Sequence, residues 1–253
     1  LSDPLRHDLL LASDRPTLVS FFRAQGYEAH GVYPALSWAW PESTFYRYTR
    51  LVDGRELAYA GPAFGYWRIP DQYAMARYEA MHPVGADSPP RFLLFATMNT
   101  HAPFRPVPPY QPDWARLLGE TPFDPEEAAH AIAEGTGWHD LRAAYGRVLD
   151  YQYRWLAGHV ARPRAREAVL VLIGDHQPLG AVSGPGARWD VPVHVVAPPG
   201  PVLDALAARG FRPGLAPAPS SLGGMHELAP MLLEAFDGGG VPPAAVAGRA
   251  RSG

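Results

Sequence analysis

Two stretches of this sequence place metal- or anion-binding side chains directly after apolar runs. Gly174-Asp175-His176-Gln177-Pro178 follows Ala168 to Ile173, and Asn99-Thr100-His101-Ala102-Pro103-Phe104 follows Phe92-Leu93-Leu94-Phe95-Ala96. Asp175 and His176 offer a carboxylate oxygen and an imidazole nitrogen side by side, donors suited to Zn, Mn or Mg. A cation held there would stabilise a developing oxyanion or activate a nucleophile. Read alone, the pair more commonly describes a turn capped by Asp175 with an incidental histidine. His101 has the chemistry to bind an anionic oxygen or protonate a leaving group, or to act only as a hydrogen-bonding loop residue.

The elements that must position these loops follow from pattern. Arg91 to Met98, Ala168 to Ile173 and Val191 to Ala197 read as strands, the first two apolar enough for burial on both faces of a parallel sheet. Tyr27 to Tyr33 reads as another. Helices are expected at Pro16 to Gln25, capped by Asp14, and at Asp71 to Met81, Ala128 to Glu134, Leu141 to Val160, Val202 to Arg209 and Met225 to Phe236. Pro34 to Gly65 is dense in aromatics without a period and reads as an irregular pocket wall. Alternating strands and helices indicate an α/β fold with a mainly parallel central sheet and helices on both faces. The three apolar strands are expected in one sheet. Ligands of such sheets bind beyond the carboxyl ends of the strands, so His101, Asp175 and His176 are expected to line one concavity. No internal repeat or second-domain boundary is visible, which gives a single domain over residues 1–253 with a Gly/Pro/Ala tail from about 237.

Other residues have simpler alternatives. Trp67, Arg68 and Asp71 could line a pocket, although an aromatic beside an arginine is commonly a packed surface pair. His194 reads as a satisfied strand residue, and Glu227 as a helix-start residue.

Composition narrows the function. A net charge of -3 with no run of Lys or Arg gives no electrostatic footprint for nucleic acid. With 0 Cys there is no disulfide framework and no thiolate metal site. No stretch approaches the ~20 apolar residues needed to span a bilayer.

The ordered set of Thr-His-Ala-Pro-Phe after a strand, a helix containing Tyr145 and Asp150, Gly-Asp-His-Gln-Pro after a second strand, and Asp-Val-Pro-Val-His-Val-Val resembles the sulfatase-like proteins of the alkaline phosphatase superfamily. The resemblance runs from Thr17 to about Phe236 and is greatest to the membrane-anchored branch of lipoteichoic acid synthases and phosphoethanolamine transferases. It implies a metal-dependent hydrolase or transferase of phosphate or sulfate esters, with Asp175 and His176 as ligands of a divalent ion (Mn, Zn, Mg or Ca). His101 then stands near the transferred group, with His30 and Trp38 as further substrate-pocket residues. It also implies a membrane-anchored parent at the extracytoplasmic, or periplasmic, face.

Two departures count against a glycerol-phosphate substrate: Val32 stands where the synthases have an acidic residue, and Trp40 where they have arginine. The family's first acidic ligand and its Thr or Ser nucleophile precede the segment matching Thr17, so the N-terminal part of the domain is expected upstream; neither Ser2 nor Ser13 is nominated. On its two ligands alone the chain is expected to bind a divalent cation weakly and to lack esterase turnover. The rival is a non-catalytic binding domain that keeps the fold.

Overall fold

The computed structural model describes residues 4–65, 67–163, 165–217 and 220–237. They divide into two compact units, one running to His159 and including Pro178–Val182, the other comprising Val160–Gln177 and the residues from Ser183 onward. The tail beyond Asp237 lies outside the described residues.

The first unit begins with α1 (Pro4–Leu11) and α2 (Leu18–Ala24). The expected cap Asp14 does not close α2. Thr17 does, accepting from Ser20 N while the Ser20 hydroxyl accepts from Thr17 N, the reciprocal arrangement that satisfies two orphan donors at a helix start. Asp14 pairs instead with Arg47 at 2.5 Å. Then come β1 (Glu28–Tyr33), α3 (Ser43–Tyr46), β2 (Arg50–Asp53), α4 (Gly54–Leu57), α5 (Asp71–Met81), β3 (Arg91–Phe95), α6 (Pro125–Ala133), α7 (Leu141–Val160) and a one-turn α8 (Gly180–Ser183).

The three strands form a sheet in the order β2-β1-β3 with both pairings parallel. Parallel neighbours need crossovers, and here the β1–β2 connection carries α3 and the β2–β3 connection carries α4 and α5. β1 is central, and Ala29 to Val32 are buried. The expected doubly buried strand at Phe92–Ala96 is instead half-buried, with Leu94 36% exposed, because among the described strands β3 is an edge pairing only with β1.

One core cluster joins Val32 and Val52 of the sheet to Tyr73, Ala74, Met75 and Tyr78 of α5 and to Tyr151 and Trp155 of α7. Trp155 is fully buried, and its indole N–H donates to Gln152 Oε1 at 3.1 Å. Trp155→Ala removes the largest buried side chain of this cluster and is expected to cost about 3 kcal/mol or more. Urea denaturation checks this, and a midpoint unchanged from wild type would contradict the packing described.

The second unit contains β4 (Leu170–Ile173), β5 (Val193–Val196), α9 (Pro201–Ala208) and α10 (Met225–Phe236). β4 and β5 pair antiparallel in a two-stranded sheet of their own. The expectation of one sheet holding all three apolar strands is therefore corrected, and so is the double burial of the second, since β4 is only half-covered. Apolar content cannot specify which edge a strand pairs with. Leu206, Leu232 and Ala235 pack with Val171 and Val195 to make this unit's core. His194 is held by Leu215 O at 3.0 Å, and Glu227 accepts from Gly224 N at 2.6 Å, the structural roles expected of both. The α/β class stands, with its parallel sheet in the first unit.

Candidate functional site

Asp175 and His176 lie just past the end of β4, where the last strand bond is Gly174 N donating to Pro192 O at 3.2 Å. The Gln177 carbonyl accepts the Nδ1–H of His176 at 2.8 Å. Since a carbonyl only accepts, the neutral ring keeps its proton on Nδ1 and presents the Nε2 lone pair. This is the backbone arrangement that fixes the tautomer of metal-binding histidines. Asp175 turns Oδ1 to His176 N at 2.9 Å and Oδ2 toward His176 Nε2 at 3.4 Å.

Two donors each ~2.1 Å from one ion at a tetrahedral angle stand about 3.4 Å apart, so the pair fits two adjacent positions on a divalent cation. Both side chains are open, 87% and 68% exposed. Among the described residues no group of three or more His, Cys, Asp or Glu is placed to hold a metal.

The remaining candidates lie in the first unit. His101 follows β3, is exposed, and its Nδ1–H donates to Ala102 O at 2.8 Å, leaving Nε2 free to accept, or to donate when protonated. Its ring meets Trp67 edge-on, centroids 4.9 Å apart. Both line a cavity of about 600 Å³ walled by residues of 63–67, 101–106 and 132–138.

The His101 loop is fixed by Asp71, which is fully buried at the first turn of α5. Asp71 Oδ1 accepts from Met98 N at 2.8 Å and Oδ2 from Asn99 N at 2.9 Å, while Asn99 Oδ1 accepts from Asp71 N at 2.7 Å. Asp71 is thus a clamp beneath the loop and not a pocket wall. Burial raises its carboxyl to about 7, against the pull of the two backbone donors.

His30 sits at the middle of β1 and is 4% exposed. Its Nδ1 lies 2.9 Å from the Tyr78 hydroxyl and its Nε2 3.6 Å from Glu28 Oε2. The structure places it in the interior and not on the cavity lining. Trp38, in the loop after β1, is 63% exposed and is not part of the lining either. Ser13 Oγ donates to Leu10 O at 2.6 Å, closing α1.

Burial, then the nearby Arg91 charge, lowers His30 to about 4. The folded pKa is below the ordinary 6.5, so the unfolded chain binds more protons between those values. Stability from this group is complete above about 6.5 and is lost as pH falls toward 4. Relative to His30→Asn, the wild type is expected to gain on the order of 3 kcal/mol between pH 4 and pH 7. Urea midpoints for the two proteins across that range check it, and parallel curves would sink it.

A family model described as Sulfatase matches residues 4–190. No curated protein sequence matches the chain. Among solved structures, a protein in the alkaline phosphatase superfamily from Vibrio parahaemolyticus is similar at 19% identity, with a TM-score of 0.39 over 73% of this chain and 41% of that one; the chain spans less than half of that protein's length. No described helix is long and apolar enough to cross a membrane. The matched segment includes both strand-end loops and most of the chain, and the chain belongs to the Sulfatase family.

Proposed function

We propose that this protein hydrolyses or transfers phosphate or sulfate esters, using a divalent cation held in part by Asp175 and His176 and a substrate contact from His101. The observation that carries the reading is the Asp175–His176 pair, which stands within a segment matched as Sulfatase and has its open donors 3.4 Å apart. The fixed tautomer of His176 and the divided carboxylate of Asp175 orient two donors without help from distant side chains. A bound cation would supply positive charge to the oxygens of the transferred group. His101, its ring set by Ala102 O and Trp67, donates from Nε2–H to an anionic oxygen in its protonated form. The extracytoplasmic, membrane-anchored setting implied by the resemblance remains part of this proposal.

The test uses the full-length protein with Mn, Zn, Mg or Ca and chromogenic phosphate and sulfate esters, alongside calorimetric titration of each metal. Metal-dependent turnover is expected. Saturable metal binding without turnover of either ester class would favour the non-catalytic binding domain, and neither result would remove the site.

A further inference from the structure

The cavity beside His101 has a chemical character that the ester reaction does not require. At about 600 Å³ it falls in the range of pockets that enclose small organic ligands. Two tryptophans, Trp67 and Trp138, line it with Ile132, Pro103 and Pro106; among the described lining residues the polar side chains include His101 and Thr136, and none is Asp, Glu, Lys or Arg.

Arg105, between the two lining prolines, is buried and turns its guanidinium to the carbonyls of His139 and Asp140, at 2.8 and 3.3 Å. Among the described lining residues a polyanionic ligand would therefore find one imidazole and no fixed cation. Trp138 and Ile132 remain 65% and 39% exposed, apolar area that an apolar ligand would remove from water at roughly 25 cal/mol per Å².

The shape is set by backbone. Gly65, at φ +71°, lets its loop approach the 101–106 loop so closely that a Cβ there would lie 3.1 Å from Arg105 O and 3.2 Å from Pro106 Cδ. The left-handed conformation itself favours glycine.

We propose that this cavity receives an uncharged, aromatic or otherwise flat apolar portion of the ligand, with an anionic end accepting from the Nε2–H of protonated His101. The substrate would then be an ester of a bulky hydrophobic alcohol or phenol, not of a polyanion. Aromatic walls recognise such a group through face and edge contacts that a polar alcohol cannot match. Assigning the occupant as part of the substrate rests on the ester-transfer reading above; occupancy by an aryl compound does not.

The test has a binding arm and a kinetic arm. 2-Naphthol is titrated into the protein by ligand-observed NMR. Saturable binding at about 1 mM or tighter is expected, weakened about tenfold or more by Trp138→Ala and by Ile132→Asp. Both side chains are exposed enough that the fold should survive. Absence of saturable binding, or binding that neither substitution changes, overturns the proposal.

In the kinetic arm, kcat/KM of the full-length protein is compared for 2-phenylethyl and ethyl esters, both phosphate and sulfate. The two leaving alcohols are similar in basicity, so the ratio reports the cavity. A preference of about tenfold for the phenylethyl ester, falling toward one in Ile132→Asp, is expected. A ratio near one in the wild type overturns the substrate assignment. Should no ester turn over, the reaction reading fails, and the naphthol titration alone decides the cavity.

Discussion

Asp175→Ala and His176→Ala, made singly in the full-length protein, are each expected to lower kcat/KM for an activated ester by roughly a hundred- to a thousandfold. Each removes one of two donors that the local backbone holds 3.4 Å apart, so metal affinity should fall with the rate. The fold should not suffer. Both side chains are open to solvent, and substitutions at such positions usually change stability by no more than about 0.5 kcal/mol. A melting curve that matches wild type beside a collapsed rate separates loss of the site from loss of the structure. Part of the lost rate should return at high metal concentration, since a weakened site still fills by mass action. Wild-type rates in both variants, at limiting metal, would sink the assignment.

Asp71→Ala should do the reverse, acting first on stability. It strands two backbone N–H donors, Met98 and Asn99, at the end of the loop before His101. At about 1–3 kcal/mol for each buried unsatisfied donor, the loss is about 4 kcal/mol, enough to threaten the first unit.

Asp71→Asn exposes the electrostatics. The folded carboxyl, at about 7, titrates above its ordinary 3.8, so the folded chain holds the proton more tightly. Its contribution is complete below about pH 4 and is lost as pH rises to about 7. The deficit of Asp71→Asn relative to wild type should therefore be largest near pH 4 and shrink, by on the order of 4 kcal/mol, by pH 8. His30 has the opposite slope over much of the same range, so the two buried groups oppose each other and flatten the wild-type profile. Equal pH profiles for wild type and Asp71→Asn would show that Asp71 ionises normally.

The long helices were legible because their signals are local. Asp71–Met81, Leu141–Val160 and Met225–Phe236 coincide with the ranges read from helical spacing and local start and stop signals. β2 was hidden in the aromatic stretch: four residues, Arg50 to Asp53, hold no period, and parallel pairing to β1 makes them a strand. Strand pairing was the main failure. An apolar run such as Leu170–Ile173 fits a parallel interior or a half-covered antiparallel pair equally well, and only tertiary context chooses.

At the site, the Gly-Asp-His and Thr-His loops announced themselves as polar clusters after apolar runs. The cavity did not, because its walls come from three segments spread over about 75 residues and share no motif. Asp71 read as a helix start that could line a pocket. The sign of a clamp was Asn99 on a distant loop, which no periodicity connects to it.

The order of the parallel sheet also sets a timetable for synthesis. β1 is the central strand, and Glu28 lies 63 residues before its β3 neighbour Arg91. At roughly 5–20 residues per second, the ribosome adds the completing edge about 3–13 s after the centre has been made. Through that interval the segment Ala29 to Val32, buried on completion, has one edge without a partner and an apolar face without its α7 covering, and α5 is made only near the interval's end. A nascent chain paused before residue 91 should therefore be a chaperone client, and one paused well beyond residue 160 should be released.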